Sequence, residues 1–392
     1  MSKPTVAFVI QRYGPMVAGG AESVARSLAK RMSACWNVEV LTTCAEDYMT
    51  WADVYPAGTT QDGAVTVRRF PVPKPRDPEP FGIWCGKIEH TPEQVPRAEA
   101  EAWMRAQGPD CPGIRNWLKL HGDGYAAVLC FTYLYTSSYD ALLAAPKGKR
   151  VVVPFAHQEW PIRLNIWPEW FAAADRIVYS AEEEQTLVEG LFPAVAGRGQ
   201  VLGQGFDPCL PGNAPRFRAK TGISREFLLY LGRIDRNKGI NELLEMHAWQ
   251  RERDPLAPDL VLIGKDALNP PPRPGVHLLG FVDEQTKADA LAACRALINP
   301  SANESLSLAL LEAWDAGKPT IANGHCEVMV GQSRRSGGGL WYHDRFEYAA
   351  AWHVLRASPP DATGAGRWAR QRYAWDRIIA GYQALVQNLA QG

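Results

Sequence analysis

The residues best suited to chemistry lie in the stretch 299–320, where two glutamates stand eight positions apart. Glu304 follows a polar turn, and Glu312 lies in an apolar run of helical periodicity. On one helix they would be roughly 12 Å apart, because each residue rises about 1.5 Å. Asn303 or Ser301 is a suitable N-cap, so we expect the helix to begin beside Glu304.

The mouth of this predicted helix is a candidate anion site. The backbone amides of Ser305, Leu306 and Ser307 would point out of it with the positive end of the helix dipole. An anion site flanked by two carboxylates suits a nucleotide sugar, in which a diphosphate joins two hydroxyl-rich groups. A plainer interpretation makes Glu304 a helix-favouring charge and Glu312 a solvated one. The apolar neighbours of Glu312 argue against it, because an unpaired buried charge is costly.

A second candidate feature is a pair of cations in the glycine-bounded loop 232–239, which follows a predicted strand at 226–231. Arg233 and Lys238 stand five positions apart at the carboxyl end of that strand, so both can reach one anion. A guanidinium binds phosphate oxygens with a planar fork and an ammonium binds them as a point charge. The alternative is a pair of solvated cations.

These motifs resemble a known family. The spacing of Glu304 and Glu312, followed by Ala-Gly-Lys-Pro at 316–319, is similar to the donor-site signature of family 4 glycosyltransferases, which are retaining enzymes with the GT-B fold. Gly-Arg-x4-Lys, ending at Lys238, also matches that family. The resemblance implies catalytic roles for Arg233, Lys238 and Glu304, and binding of the donor's ribose by Glu312.

Two features of the N-terminal half fit the same resemblance. Gly19 and Gly20, in Gly-Gly-Ala-Glu, are similar to the start of the first helix in many family members, where the loop faces the donor diphosphate. His157 follows a predicted strand at 150–154, at the end where α/β sheets bind ligands. The resemblance makes His157 a candidate catalytic residue near the transferred sugar, although a lone histidine is more often structural.

Alternating strands and helices over 392 residues predict an α/β protein of two domains. The resemblance implies the GT-B fold, with two Rossmann-like βαβ domains facing across a cleft. Residues 1–204 would bind the acceptor and residues 205–373 the nucleotide sugar. In this fold a C-terminal helix, here at about 374–392, often packs back on the first domain. The proline- and glycine-rich stretch 204–224 is predicted to be the interdomain linker.

The least regular stretch runs from residue 71 to 117. Its prolines predict no long helix before about Glu93. An irregular, aromatic insertion of this kind is a candidate acceptor-binding rim, and a purely structural excursion is the alternative.

The composition of the chain limits its possible partners and cellular location. Lys plus Arg and Asp plus Glu both number 42, so nothing suggests nucleic acid as a partner. The eight cysteines are scattered without Cys-x-x-Cys, which fits a reducing cytoplasm rather than a zinc or disulfide scaffold. The start of the chain reads as a strand rather than a signal peptide, and no apolar run approaches a membrane span. We expect a cytoplasmic protein, with contact at the inner face of the membrane left open.

The chain lacks Gly-x-Gly-x-x-Gly, a Walker motif and Asp-x-Asp. We therefore expect no cofactor other than the donor as co-substrate, and no metal. The predicted function is retaining transfer of a sugar from a UDP- or GDP-type donor to a glycan, lipid-linked or small-molecule acceptor. A sugar-nucleotide epimerase or phosphorylase of the same architecture remains an alternative, as does a catalytically silent nucleotide-sugar-binding protein.

Overall fold

A computed structural model describes residues 3–17 and 19–389 of the chain. It forms two compact units, one of Met1–Gly205 with Asp376–Gly392 and the other of Phe206–Trp375. The N-terminal end of the predicted first domain and the last residues of the predicted C-terminal helix, 390–392, lie outside the described residues.

The first unit is built on one eight-stranded sheet with the order β3-β4-β2-β1-β5-β6-β7-β8. All neighbouring strands are parallel except β3, which pairs antiparallel with β4 at the edge. The strands are β1 Thr5–Val9, β2 Asn37–Thr43, β3 Gly58–Asp62, β4 Val65–Phe70, β5 Ala127–Phe131, β6 Arg150–Val153, β7 Arg176–Tyr179 and β8 Gly199–Val201.

Helices cover this sheet. They are α1 Gly20–Met32, α2 Pro78–Ile88, α3 Arg97–Gln107, α4 Pro112–His121, α5 Thr136–Ala144, α6 Trp167–Ala172 and α7 Glu182–Leu191. The central strand β5 is buried along its whole length, as expected for a parallel strand covered on both faces. The carboxyl ends of β1, β2, β5 and β6 therefore meet at one edge, which is where such sheets bind ligands.

The proline-rich stretch contains a helix, so the prediction of no long helix before Glu93 is wrong. Helix α2 begins at Pro78, and the Asp77 carboxylate caps it by accepting from the amide of Glu79 at 3.3 Å. Pro78 and Pro80 both lie in the first turn, where an amide has no partner within the helix. The prolines thus start the helix rather than prevent it.

The second unit contains a six-stranded, wholly parallel sheet with the order β11-β10-β9-β12-β13-β14. Its elements in chain order are α8 Ala214–Thr221, β9 Phe227–Leu231, α9 Ile240–Arg253, β10 Asp259–Ile263, β11 Val276–Gly280, α10 Glu284–Ala293, β12 Ala296–Asn299, α11 Leu308–Asp315, β13 Thr320–Asn323, α12 Glu327–Ser336, β14 Gly339–Tyr342, α13 Arg345–Ala357 and α14 Ala362–Arg372. The direction of strand addition reverses between β9 and β12. Open α/β sheets commonly bind ligands at the carboxyl ends of the strands beside such a reversal.

The predicted linker is partly helical. Helix α8 is capped by Asn213, whose side chain accepts from the amide of Arg216 at 2.8 Å. Phe217 of this helix is fully buried, with its ring centroid 5.5 Å from that of Phe227. Residues 206–224 therefore group with the second unit, and Phe217 packs α8 against β9.

The last helix, α15, covers Trp375–Leu389. Its residues from Asp376 onward group with the first unit. Gly381 allows a close approach, because a Cβ at this position would lie 2.6 Å from Leu202 just after β8. Ile378, Tyr382 and Leu385 are buried on the same helix.

Candidate active site

The loop after β9 is held in one shape by its own side chains. The Asp235 carboxylate accepts from the amide of Lys238 at 3.0 Å and lies 3.1 Å from the guanidinium of Arg233. The Tyr230 hydroxyl donates to the carbonyl of Arg233 at 2.6 Å. Gly239 closes the turn with a φ of 71°, and a Cβ there would collide with the carbonyl of Pro300. Both predicted cations are thus fixed at the carboxyl edge of the sheet.

Lys238 contacts Glu304 directly. Its Nζ lies 2.6 Å from Glu304 Oε1, and the two side chains are only 26% and 17% exposed. In the sequence, Lys238 and Glu304 belong to separate motifs and stand 66 positions apart. The fold brings their side chains into contact. An ammonium beside a carboxylate in a half-buried position presents both a charge for a phosphate and an acceptor for a sugar hydroxyl.

The predicted helix start is wrong. Helix α11 begins at Leu308, so Glu304 lies in the preceding loop and not in the first helical turn. The loop has its own hydrogen bonds instead. Asn299 Oδ1 accepts from the amide of Ser301 at 3.1 Å, and Asn299 Nδ2 donates to Ser307 Oγ at 3.0 Å. Short polar side chains favour such local turns over an additional helical turn.

The amide of Ser307 is already occupied. It donates to Oε1 of the fully buried Gln332 at 3.1 Å, so it is not the phosphate donor that the sequence suggested. The amides of Ser305 and Leu306 make no hydrogen bond to the described residues. Two of the three predicted amide donors are therefore unpaired among the described residues.

Glu312 has a different partner from Glu304. Lys287 of α10 donates to Glu312 Oε1 at 3.1 Å. Burial raises the pKa of the Glu312 carboxyl, and the ammonium of Lys287 opposes that rise. The structure therefore supplies the counter-charge that the sequence argument required and could not locate. Lys287 was missed because nothing in the local sequence of α10 indicates that this helix lies beside α11.

In the first unit, Gly19 lies against a buried ion pair. A Cβ on Gly19 would fall far inside contact distance of Glu22 Oε2 and 3.1 Å from Arg12 Nη2. Glu22 accepts from Gln11 Nε2 and from Arg12 Nε, both at 2.9 Å. Gly20 is different, because a Cβ there would meet open space. A side chain at Gly19 would therefore displace this pair. The buried cluster of Gln11, Arg12 and Glu22 was not predicted from the sequence.

His157 lies just beyond β6, as predicted. Its Nε2 is 3.7 Å from Glu159 Oε1, which also accepts from the Tyr133 hydroxyl at 2.8 Å. His157 Nδ1 is buried and has no partner among the described residues. The preceding residue, Ala156, donates its amide at 2.6 Å to the buried carboxyl of Glu184.

Glu184 is a further residue that the sequence did not single out. Its second oxygen accepts from the amide of Ser180 at 2.5 Å, so one carboxyl joins the loops after β6 and β7. Burial raises its pKa to about 8. Its sequence setting, three consecutive acids at a helix start, indicated only a favourable helix N-terminus.

Comparisons with known proteins agree with these features. Residues 225–353 match the family model described as glycosyl transferases group 1. A D-inositol 3-phosphate glycosyltransferase of Frankia alni is 26% identical over 354 residues, covering 80% of this chain and 79% of that protein. Matches to two further relatives with that function span 54% and 55% of their length. The chain is a glycosyltransferase.

Solved structures show that the glycosyltransferase has the GT-B fold. Sucrose-phosphate synthase from Thermosynechococcus elongatus superposes with a TM-score of 0.71 at 17% identity, covering 99% of this chain and all of that one. Anabaena HepE in complex with UDP-glucose superposes with a TM-score of 0.63 at 16% identity, with the same coverage. The predicted fold class and the resemblance to family 4 are confirmed.

Two further findings concern metals and membranes. Across 3–17 and 19–389, no three His, Cys, Asp or Glu side chains are grouped to hold a metal ion. No helix within the same ranges is both long and apolar enough to cross a bilayer. The metal-free reaction and the contact with a membrane surface remain predictions.

Proposed function

We propose that this glycosyltransferase moves a sugar from a nucleoside-diphosphate sugar to a hydroxyl-bearing acceptor, with retention of anomeric configuration and without a metal. The observation that carries the donor assignment is the contact between Lys238 and Glu304 beside Arg233, at the carboxyl edge of the second sheet. The UDP-glucose complex of HepE, a protein of the same fold, supports a donor of this class.

In the proposed reaction the bond between the sugar C1 and the diphosphate oxygen breaks, and its electron pair leaves with the diphosphate. The acceptor hydroxyl forms the new bond to C1, and its proton passes to the departing diphosphate oxygen. Negative charge grows on the leaving group in the transition state, where Arg233, Lys238 and the amides of Ser305 and Leu306 would stabilise it. Preorganised charges of this kind lower a barrier most when they are already in place before the reaction.

We assign the acceptor to the first unit. His157 lies just beyond β6, at the ligand-binding edge of its sheet. The curated relatives are named for transfer to D-inositol 3-phosphate, which supports a small polyol as the acceptor class over a glycan or a lipid-linked acceptor.

The proposal is tested by incubating the purified protein with UDP- and GDP-sugars and small polyols, and by measuring release of the nucleoside diphosphate. We expect one donor to be consumed in an acceptor-dependent way, with excess EDTA present, and the product to keep the donor's anomeric configuration by NMR. Inversion at C1 would overturn the proposed retention of configuration. Activity that is lost in EDTA and restored only by Mg²⁺ or Mn²⁺ would overturn the proposed metal independence. Interconversion of the donor without transfer would favour an epimerase.

A further inference from the structure

The segment that carries His157 has an unusual backbone. Phe155, two residues before it, adopts a φ of 48°, in the left-handed region that bulky side chains rarely occupy. Thr132, which directly follows the neighbouring strand β5, has a φ of 70°. Such conformations cost energy and persist only where the surrounding structure holds them. The position of His157 therefore depends on what holds the turn after β6.

The imidazole of His157 is not held by hydrogen bonds of its own. Within the described part of the chain, its Nδ1 is buried without a partner. Its Nε2 lies 3.7 Å from Glu159 Oε1, which is too long for a hydrogen bond. A ring without such bonds takes its place from the backbone that carries it. The contacts that fix this backbone are therefore the ones that decide where the imidazole lies.

Two carboxyl groups anchor the backbone on either side of His157. Before it, the amide of Ala156 donates to Glu184 Oε1 at 2.6 Å. After it, Glu159 accepts from the hydroxyl of the fully buried Tyr133 at 2.8 Å. The amide of Glu159 also donates to the carbonyl of His157 at 2.8 Å. His157 thus lies between two anchored residues.

Only one of the two hydrogen bonds of Glu184 is explained by its own helix. Glu184 is the third residue of α7, where a glutamate commonly reaches back to an amide just before the helix. Its contact with the amide of Ser180 is of this kind. The contact with Ala156 is not, because Ala156 lies 28 positions away in the turn after another strand. A helix cap would be complete without it.

The Glu184 carboxyl is a stiff anchor. Its side chain is 1% exposed, and Ala156 and Ser180 are buried as well. Moving the carboxyl would leave two buried amides without an acceptor, which costs more than a typical hydrogen bond contributes. Burial raises the pKa of Glu184 to about 8, so near neutral pH most of this carboxyl is uncharged and it needs no counter-ion.

We propose that Glu184 is a positioning residue of the transferase, whose carboxyl holds the turn after β6 in the strained conformation that places His157 for sugar transfer. The inference rests on the proposed function, because it concerns how His157 serves the same reaction. Glu184 acts through His157 and does not touch the substrate. Its loss should misplace the imidazole, and a displacement of about 1 Å can reduce a rate by about 10².

Three variants test the proposal. Glu184→Met is the main one, because methionine has a similar length and offers no oxygen to the two amides. Glu184→Gln is the conservative one, since it keeps one acceptor oxygen for two amides. Glu189→Met is the matched control, because Glu189 lies on the same helix and accepts from Gln185 of that helix. Urea unfolding identifies which variants are folded under the assay conditions.

The first measurement uses no donor. It records the NMR signals of ¹³C-labelled histidine rings, with the His157 signal assigned by its absence in His157→Gln. We expect this signal to shift in Glu184→Met, to shift less in Glu184→Gln and to stay unchanged in Glu189→Met. An unchanged His157 signal in the folded Glu184 variants would overturn the proposal.

The second measurement is a kinetic double-mutant cycle. Glu184→Met should lower kcat by at least about tenfold, because the imidazole is misplaced, and Glu184→Gln should lower it less. Donor KM should change by less than about twofold, because the donor is assigned to the second unit. In the His157→Gln background Glu184→Met should have no further effect on kcat, since a residue that acts only through His157 has nothing left to position.

Two kinetic outcomes would overturn the proposal: normal kcat in the folded Glu184 variants, or effects of the Glu184 and His157 substitutions that simply multiply. Failure of the proposed function has a different result. The wild type would then consume no nucleotide sugar, while the NMR comparison would still show whether Glu184 places His157.

Discussion

Arg233 and Lys238 are ion-paired with Asp235 and Glu304 respectively. Their predicted role is to stabilise charge that develops on the leaving diphosphate. Arg233→Ala and Lys238→Ala should each reduce kcat by about 10² or more, with a smaller effect on donor KM, because the charge is greatest in the transition state. Arg236→Ala is the matched control, since Arg236 is exposed on the same turn and should retain wild-type kinetics. A variant at either position that keeps its kcat and only raises KM would show that the residue binds the ground state alone.

Substitutions of Glu304 and Glu312 should affect different kinetic constants. Glu304→Gln should mainly lower kcat, because it removes a negative charge beside the sugar carbon as positive charge develops there. Glu312→Gln should mainly raise donor KM, by about tenfold or more, if its carboxylate holds ribose hydroxyls in both ground and transition states. Lys287→Met is the control, because Lys287 is the partner of Glu312. If Lys287→Met and Glu312→Gln have the same effect, Glu312 acts through its ion pair and not through the ribose.

At the scale of elements, the start of α1 depends on the space beside Gly19. Gly19→Ala forces a methyl group into the buried pair of Glu22 and Arg12, and overpacking of this kind costs about 1–3 kcal/mol. Gly20→Ala should be neutral or stabilising by up to about 1 kcal/mol, since its Cβ enters open space at a helix start. Urea unfolding measures both changes, and equal stability of the two variants would contradict this account of Gly19. Donor turnover by a well-folded Gly20→Ala then reports whether the diphosphate approaches that backbone.

Glu184 joins two strand-end loops, and its titration should be visible in stability. Its folded-state pKa, about 8, lies above the ordinary value of 4.5, so the folded protein holds a proton that the unfolded chain releases. Its contribution is fully present below pH 4.5 and is lost as the pH rises through 8. The free energy of unfolding should therefore fall with pH in this window by up to about 1.4 kcal/mol per pH unit relative to Glu184→Gln. Urea unfolding of both proteins from pH 5 to 8.5 measures the difference, and parallel curves would exclude this role.

At the scale of the whole molecule, the donor assignment predicts where a nucleotide acts. Saturating UDP at about 100 times its Kd should add about 2.7 kcal/mol of stability. Hydrogen exchange should slow in the loops 232–239 and 299–307 of the second unit, where the free amides of Ser305 and Leu306 lie. Protection confined to the first unit would place the nucleotide on the wrong unit and reverse the division of roles proposed here.

The sequence alone determined the parts of the protein that depend on local pattern. The start of the chain and the segment 150–154 were both predicted to be strands, and β1 and β6 lie there. The glycines that bound residues 232–239 predicted a loop at a strand end. The turn is local, because Asp235 caps it and Gly239 closes it. The cationic loop and the family resemblance were sufficient to predict the GT-B fold.

Tertiary structure decided what depends on residues distant in the chain. Lys238 meets Glu304, Glu312 meets Lys287, and Gln332 takes the amide of Ser307, and no local pattern encodes such pairings. Helix α11 begins at Leu308, later than predicted. The side chain of Asn299 forms hydrogen bonds within the preceding loop, and these stabilise the loop in place of the expected helical turn. Helix α2 also escaped prediction, since prolines read as breakers until their position in a first turn is known. Local periodicity specifies which face is buried, while partners for buried charges and amides are chosen only when the sheet brings its strand ends together.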